Sequence, residues 1–217
     1  MVRVGLLFVL SLLTAGCGIG PSAVSTSFAD TGDSSIAAMS PSLGLGSGSS
    51  SGGPSSGVQL AAYDGMPKGS WEKAPKGALA DRDYSKTTLD PEKALVQINK
   101  YRAQKRLKPL KLNAQLTSAA KAHARDLAKW DRISHYGSDG SNPWDRVKRS
   151  GYVAGVAAEN VGTGQASFDE VLRGWKESPG HNKNLLLADA RDAGLALVQD
   201  PKTEFKTFWT LVLGASM

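Results

Sequence analysis

Between residues 167 and 186 the chain reads SFDEVLRGWKESPGHNKNLL, with Phe168, Val171, Leu172 and Trp175 at i, i+3, i+4 and i+7. That spacing draws one apolar stripe along a helix, so a helix with Trp175 in the core is predicted. Ser167 stands at its N-cap and Glu170 three residues on, the pairing of a capping box, while Gly174 inside it costs only about 1 kcal/mol. Pro179 ends the helix, because it lacks an N–H and disfavours the α region at Ser178. Ser178-Pro179 then forms the N-cap and N1 of a second short helix, with His181 in its first turn.

The same periodicity recurs upstream. Asp90-Pro91 opens a helix whose stripe is Leu95, Ile98 and Tyr101/Arg102, ending before Pro109. Leu110 and Leu112 are expected core anchors in the connection that follows. Asn113 caps a longer helix with Leu116, Ala119, Ala120, His123, Leu127 and Trp130 on one face. A histidine flanked by alanines on such a face is expected to be a packing residue rather than a catalytic one. The next segment begins as a Gly/Ser/Asp-rich loop, expected to be exposed. Asn142-Pro143 then starts a short helix carrying Trp144 and Val147, closed by Gly151 at C′.

From there the pattern shortens to the period of strands. Residues 153–164 give small apolar pieces around Glu159, and residues 193–199 read as a strand. Asp200-Pro201-Lys202-Thr203 reads as a turn, and residues 205–213 as the antiparallel partner. In that last run Phe205, Thr207, Trp209, Leu211 and Leu213 alternate with Lys206, Phe208, Thr210 and Val212. Apolar residues on both faces mark a central strand. Helices before a C-terminal hairpin, with one more strand near Glu159, predict an α+β fold of helical layers flanking an antiparallel sheet.

The first part of the 217 residues lacks any such period. Residues 1–17 have one basic residue, Arg3, an apolar run over 4–13 and the small residues Thr14-Ala15-Gly16 before Cys17. This is the form of a signal peptide, too short to span a bilayer stably. Cys17 is the single cysteine, so no intramolecular disulfide can form. The ending LLTAGC resembles the lipobox of bacterial lipoproteins, with Thr14 where an aliphatic residue is usual. That resemblance implies a lipid on Cys17 and membrane association, in the outer membrane if the cell has one; an ordinary signal peptide cut nearby is the alternative. Residues 18–88, rich in Ser and Gly, cannot bury enough apolar surface to offset ordering entropy and are expected to form a flexible tether. Tyr63, Trp71 and Tyr84, scattered through it, could pack on the domain or on a partner. A single domain is expected over residues 89–217.

Lys and Arg exceed Asp and Glu by 26 to 20 in the chain, net +6, and by 20 to 14 from Leu89 onward. An excess carried by the domain suits an anionic envelope surface. Without a nucleic-acid motif or basic-aromatic interleaving, nucleic acid is not an expected partner.

The candidate chemistry is thin when read residue by residue. Glu159 among small residues is equally well explained by a local hydrogen bond, and His181 by a structural one. No serine occupies a nucleophile elbow. The succession AHARDLA, ISHYGSDG, RVKRSGY, AENVGTG, WKESPGHNKNLL and AGLAL nevertheless resembles the bacterial branch of the CAP superfamily, the SCP-like domains, over residues 89–214. The resemblance implies an α-β-α sandwich with a shallow cavity carrying two histidines and two glutamates, which binds zinc in some eukaryotic members. By motif these are His135 of ISHYG, Glu159 of AENV and His181 of the Gly-His pair. The second glutamate is replaced by Ser178, with Glu177 beside it. The metal expectation is therefore His135 and His181, with Glu159 a third ligand or an acceptor orienting water or a ring N–H. The function expected is an extracytoplasmic binding or interaction module for a lipid, a protein or an envelope surface. A metal-assisted hydrolase of peptide, ester or cell-wall substrates is the alternative.

Overall fold

A computed structural model describes residues 71–217. The expected signal peptide with Cys17, and the expected tether up to residue 70 including Tyr63, lie outside the described residues. The elements run α1 (Pro91–Gln104), β1 (Lys111–Leu112), α2 (Ala114–Trp130), α3 (Pro143–Arg149), β2 (Ala154–Thr163), α4 (Phe168–Glu177), α5 (Pro179–Leu185), β3 (Asp192–Gln199) and β4 (Thr207–Ser216).

The strands lie side by side in the order β1-β3-β4-β2. β3 and β2 both pair antiparallel with β4, and β1 adds a two-residue parallel edge beside β3. Alternation along β4 sends its side chains to two different cores. Trp209, Leu211 and Leu213 pack with Leu95 and Ile98 of α1, Val171 and Trp175 of α4 and Leu185 of α5. Val212 packs with Leu116, Ala119 and Ala120 of α2 and Val147 of α3. The result is a sheet between two helical layers, as the apolar pattern predicts. β4 is interior, in keeping with its two apolar faces.

Local signals set the helix starts. Asp90, Asn113, Asn142 and Ser167 each accept a backbone N–H with the side chain, and Asn142 with Asp145 makes a reciprocal capping box. At α4 the box differs from expectation. Ser167 accepts from the Glu170 N–H, but the Glu170 carboxylate takes the Ala166 N–H at 2.8 Å and pairs with Arg82. α2 is pressed against β3 so closely that a Cβ on Gly194 would fall 2.1 Å from the carbonyl carbon of Leu116. Only glycine fits there.

Four further expectations are corrected. Trp130 does not join the buried face of α2. It is 49% exposed at the C-terminal end of the helix, with Lys129 Nζ 5.4 Å from the ring centre. The last strand begins at Thr207, because Lys206 has φ 65 and the backbone there is still turning. Phe205 instead fills a third cluster with Phe208, Leu127, Ile133 and Leu79. The loop before α3 is exposed only at its tip, Ser138 and Asp139, while Ser134, His135, Gly137 and Ser141 are buried; Gly137 N–H donates to the Ser141 carbonyl and Asp126 accepts from Ser138 N–H. Finally, residues 71–88, assigned above to the tether, form a strap on the domain.

The strap is held by a few apolar and polar anchors spaced too irregularly to show a period. Glu72 exchanges two hydrogen bonds with Ile133, at 3.0 and 2.9 Å. Leu79 is 2% exposed. Arg82 grips the Glu170 carboxylate at 2.6 and 2.7 Å, and the Tyr84 hydroxyl donates to the Gly164 carbonyl at 2.9 Å. Thr87 donates through its hydroxyl to the Ala166 carbonyl. Trp71, at the start of the strap, is exposed.

Candidate functional site

Glu159 sits on β2, opposite Val212 of β4, and its side chain faces the α2 and α3 layer. Its carboxylate is 2% exposed and is held from two directions. Arg146 of α3 donates through Nη2 to Oε2 at 2.7 Å and to Oε1 at 2.9 Å. His135 places Nδ1 2.9 Å from Oε1. A carboxylate only accepts, so His135 carries its proton on Nδ1, and in the neutral ring the lone pair is on Nε2. Arg146 also donates to the backbone carbonyls of His135 and Ser141, which fixes the loop to α3. Burial by itself would raise the Glu159 pKa, but the Arg146 charge, the neighbouring His123 and the hydrogen bond from His135 together outweigh it and hold the carboxyl well below its usual range.

His123 belongs to this group too, although its sequence context reads as packing alone. It is fully buried, with Nε2 2.8 Å from the Ser134 carbonyl and 3.5 Å from Glu159 Oε1. Burial, reinforced by the Arg146 charge, lowers its pKa to about 4, so the ring is neutral and Nε2–H donates to Ser134. Arg146 was missed by the sequence reading, since a basic residue on a short helix usually marks a solvated face. Its spacing hints at burial only, since Pro143, Arg146 and Val147 lie at i, i+3 and i+4 and are all buried, but not at the carboxylate it meets.

His181 arrives from the opposite layer, at the edge of the sheet. β2 is an edge strand, and two of its outward carbonyls are taken by side chains. Asn184 Nδ2 donates to the Glu159 carbonyl at 3.1 Å, and Trp175 Nε1 to the Val161 carbonyl at 3.0 Å. α4 and α5 therefore close this edge, and Asn160 Nδ2 donates to the His181 carbonyl. The His181 ring has Nδ1 3.1 Å from Ser178 Oγ. Burial, followed by the charge of nearby His135, lowers its pKa to about 4. The structure thus gathers His135, Glu159, His181 and Ser178 at one edge of the sheet. Glu177 is exposed at the end of α4 and has no part in the buried network.

These donors do not fit a three-ligand zinc centre. Both Glu159 oxygens already receive the Arg146 guanidinium, so a divalent ion bound there would lie against a fixed positive charge. The serine in place of the second glutamate is turned to His181. Among the described residues, no group of three or more His, Cys, Asp and Glu side chains is placed to hold a metal ion.

A sheet covered on both faces by helices, with an imidazole–carboxylate site at its edge, is the architecture of the CAP, or SCP-like, class. Residues 95–213 match the model of the cysteine-rich secretory protein family, and the chain belongs to that family. The uncharacterized protein YkwD of Bacillus subtilis is 31% identical over 109 residues, covering 50% of this chain and 42% of that protein. The chain therefore spans less than half the length of this relative. Among solved structures, an outer surface protein from Borrelia burgdorferi superposes with a TM-score of 0.54 at 20% identity, over 59% of this chain and 97% of that one. An extracellular SCP-domain protein from Bacillus anthracis gives 0.50 at 24% identity, over 59% of this chain and 45% of that one. At these identities the two likenesses establish the fold alone.

Proposed function

We propose that the protein acts outside the cytoplasm as a lipid-anchored binding module of the cell envelope, with His135, His181 and Ser178 forming the recognition edge. The observation that carries this reading is the double hold on Glu159 by Arg146 and His135. A carboxylate held in this way fixes the His135 tautomer and ring orientation, which suits an anchor for a ligand. It is a poor metal ligand and a poor base. The outer-surface and extracellular relatives support the location, LLTAGC supports the anchor, and the basic balance of the domain suits an anionic envelope surface, a lipid or a protein partner.

Hydrolysis would have to rely on Ser178 and His181, whose Oγ and Nδ1 are 3.1 Å apart. A ring with its pKa near 4 is a weak base at neutral pH, since general bases work best with pKa values near the operating pH. Two experiments test the proposal. Full-length protein should partition into the detergent phase and Cys17→Ser into the aqueous phase, and equal partitioning rejects the anchor. Peptide, ester and cell-wall substrates should show no turnover that depends on the site. Turnover abolished by His135→Ala and by His181→Ala would replace the binding reading with the hydrolytic one.

A further inference from the structure

Two tryptophans are turned to solvent, Trp71 48% and Trp130 49% exposed, and neither belongs to the site at the sheet edge. They come from distant parts of the sequence and share one corner of the domain. Glu72 and Ile133 exchange a pair of backbone hydrogen bonds; Trp71 directly precedes the first, and Trp130 ends α2 three residues before the second. From the spacing of an antiparallel pair and the reach of three residues, the two Cα atoms are at most about 20 Å apart. Ile133 is 1% exposed and faces the core, so alternation along the paired segment sends Trp71 and Lys73 outward. Ala74 and Ala78 of the strap pack beneath them on Leu127, Ala128 and Ile133, which gives the corner a firm base.

Each ring has a lysine beside it. Lys73 Nζ lies 5.5 Å from the centre of Trp71, and Lys129 Nζ 5.4 Å from that of Trp130. Indole and ammonium together suit the headgroup level of a bilayer, where the ring meets the upper acyl carbons and the charge stays with phosphate. The surrounding charge is mixed. Lys76 adds an exposed cation and Glu72 an exposed anion, Arg132 pairs with Asp126 at 3.5 Å, and Asp131 and Glu204 accept backbone N–H groups. A soluble polyanion therefore finds little to grip, and the rings rather than a net field carry a contact at this corner.

The place of the corner in the chain names the partner. Trp71 is separated from Cys17 by 53 residues. A flexible Ser/Gly-rich chain of that length spans about 40 Å, and a tether of that reach holds its end near the anchoring surface at an effective concentration on the order of millimolar. A weak contact made by two half-exposed rings is then enough.

We propose that Trp71 and Trp130, with Lys73 and Lys129, dock the domain on the phospholipid surface that holds Cys17; the proposal rests on the anchor reading for the source of that surface. Docking brings the loop that follows Ile133, and with it His135, towards the headgroups. In the test, the full chain is coupled through Cys17, its single cysteine, to a maleimide lipid in phosphatidylcholine vesicles. The tether is thus supplied whether or not the cell adds a lipid, and detergent partitioning tests the anchor separately. Lipid brominated on the acyl chains should quench part of the tryptophan emission, equally at low salt and at about 0.5 M, where charges are screened within about 4 Å. Trp71→Ser combined with Trp130→Ser should abolish that quenching and leave the thermal melt unchanged, since both side chains are half exposed. Emission indifferent to bromine would overturn the proposal and leave the anchor standing. Quenching that survives the double variant, or that is lost at high salt, would overturn it as well. Dimerisation in free solution that the double variant loses would instead assign the rings to a second copy of the chain.

Discussion

Arg146 decides the character of the site, because it supplies inside the protein the positive charge that Glu159 would otherwise seek from a metal. Replacing it with Met leaves a carboxylate that is 2% exposed without its cation, a change expected to cost about 3–5 kcal/mol in urea unfolding. Arg146→Met with Glu159→Gln should recover part of that loss; a single variant as stable as wild type would show the pair to be dispensable. The imidazoles make a second prediction. His123 and His181 have folded pKa values near 4 against an ordinary value of 6.5. Below about pH 6.5 the unfolded chain therefore binds protons that the fold refuses, and stability falls down to about pH 4 by up to about 1.4 kcal/mol per pH unit for each ring. The lowered Glu159 pKa has the same sign and extends the loss below its ordinary 4.5. Urea midpoints should be level between about pH 7.5 and 6.5 and then drop steadily, while a level profile to about pH 4.5 would contradict the assignment. At this scale the sequence was only partly legible. His135, Glu159 and His181 could be named from motifs, but the role of His123 and Arg146 depends on which side chains meet across layers, and spacing along one helix does not encode that.

Elements were the most legible level, because caps and apolar stripes are local. Asp90, Asn113, Asn142 and Ser167 announce their helices, and Pro179 separates α4 from α5. β1 escaped notice because two residues cannot show an alternation, and it exists only through β3 beside it. α4 offers the clearest energetic test. Trp175 is 1% exposed, packs edge-on to Phe168 at 6.4 Å, and donates through Nε1 to the Val161 carbonyl on the sheet edge. Trp175→Ala should cost about 3–5 kcal/mol by chemical denaturation. Trp175→Phe should separate the terms, costing at least the roughly 1 kcal/mol of the lost hydrogen bond. A loss under about 1 kcal/mol for the alanine variant would contradict the packing described.

For the whole molecule, the layered architecture could be read from the order of helices and strands, whereas the edge of the folded body could not. The composition of residues 71–88 gives no periodic run to mark it off from the Ser/Gly-rich stretch before it, and Leu79, Arg82, Tyr84 and Thr87 hold to the domain one at a time. That attachment has a mechanical consequence. If the N-terminus is fixed to a membrane, a load on the domain enters at Glu72 and meets the two hydrogen bonds to Ile133 first, then Leu79, then the Arg82–Glu170 pair. Because these contacts are met in succession, the strap should peel before α1 and the sheet take up the force. Pulling from residue 71 should therefore give an early, low-force lengthening of at most roughly 60 Å, the reach of the strap's residues when extended, followed by a separate rupture of the sheet. A single rupture without the early step would mean that strap and sheet yield together. In a cell, such a strap would work as a yielding joint, lengthening the link between surface and domain under strain while the edge that bears His135 and His181 keeps its shape.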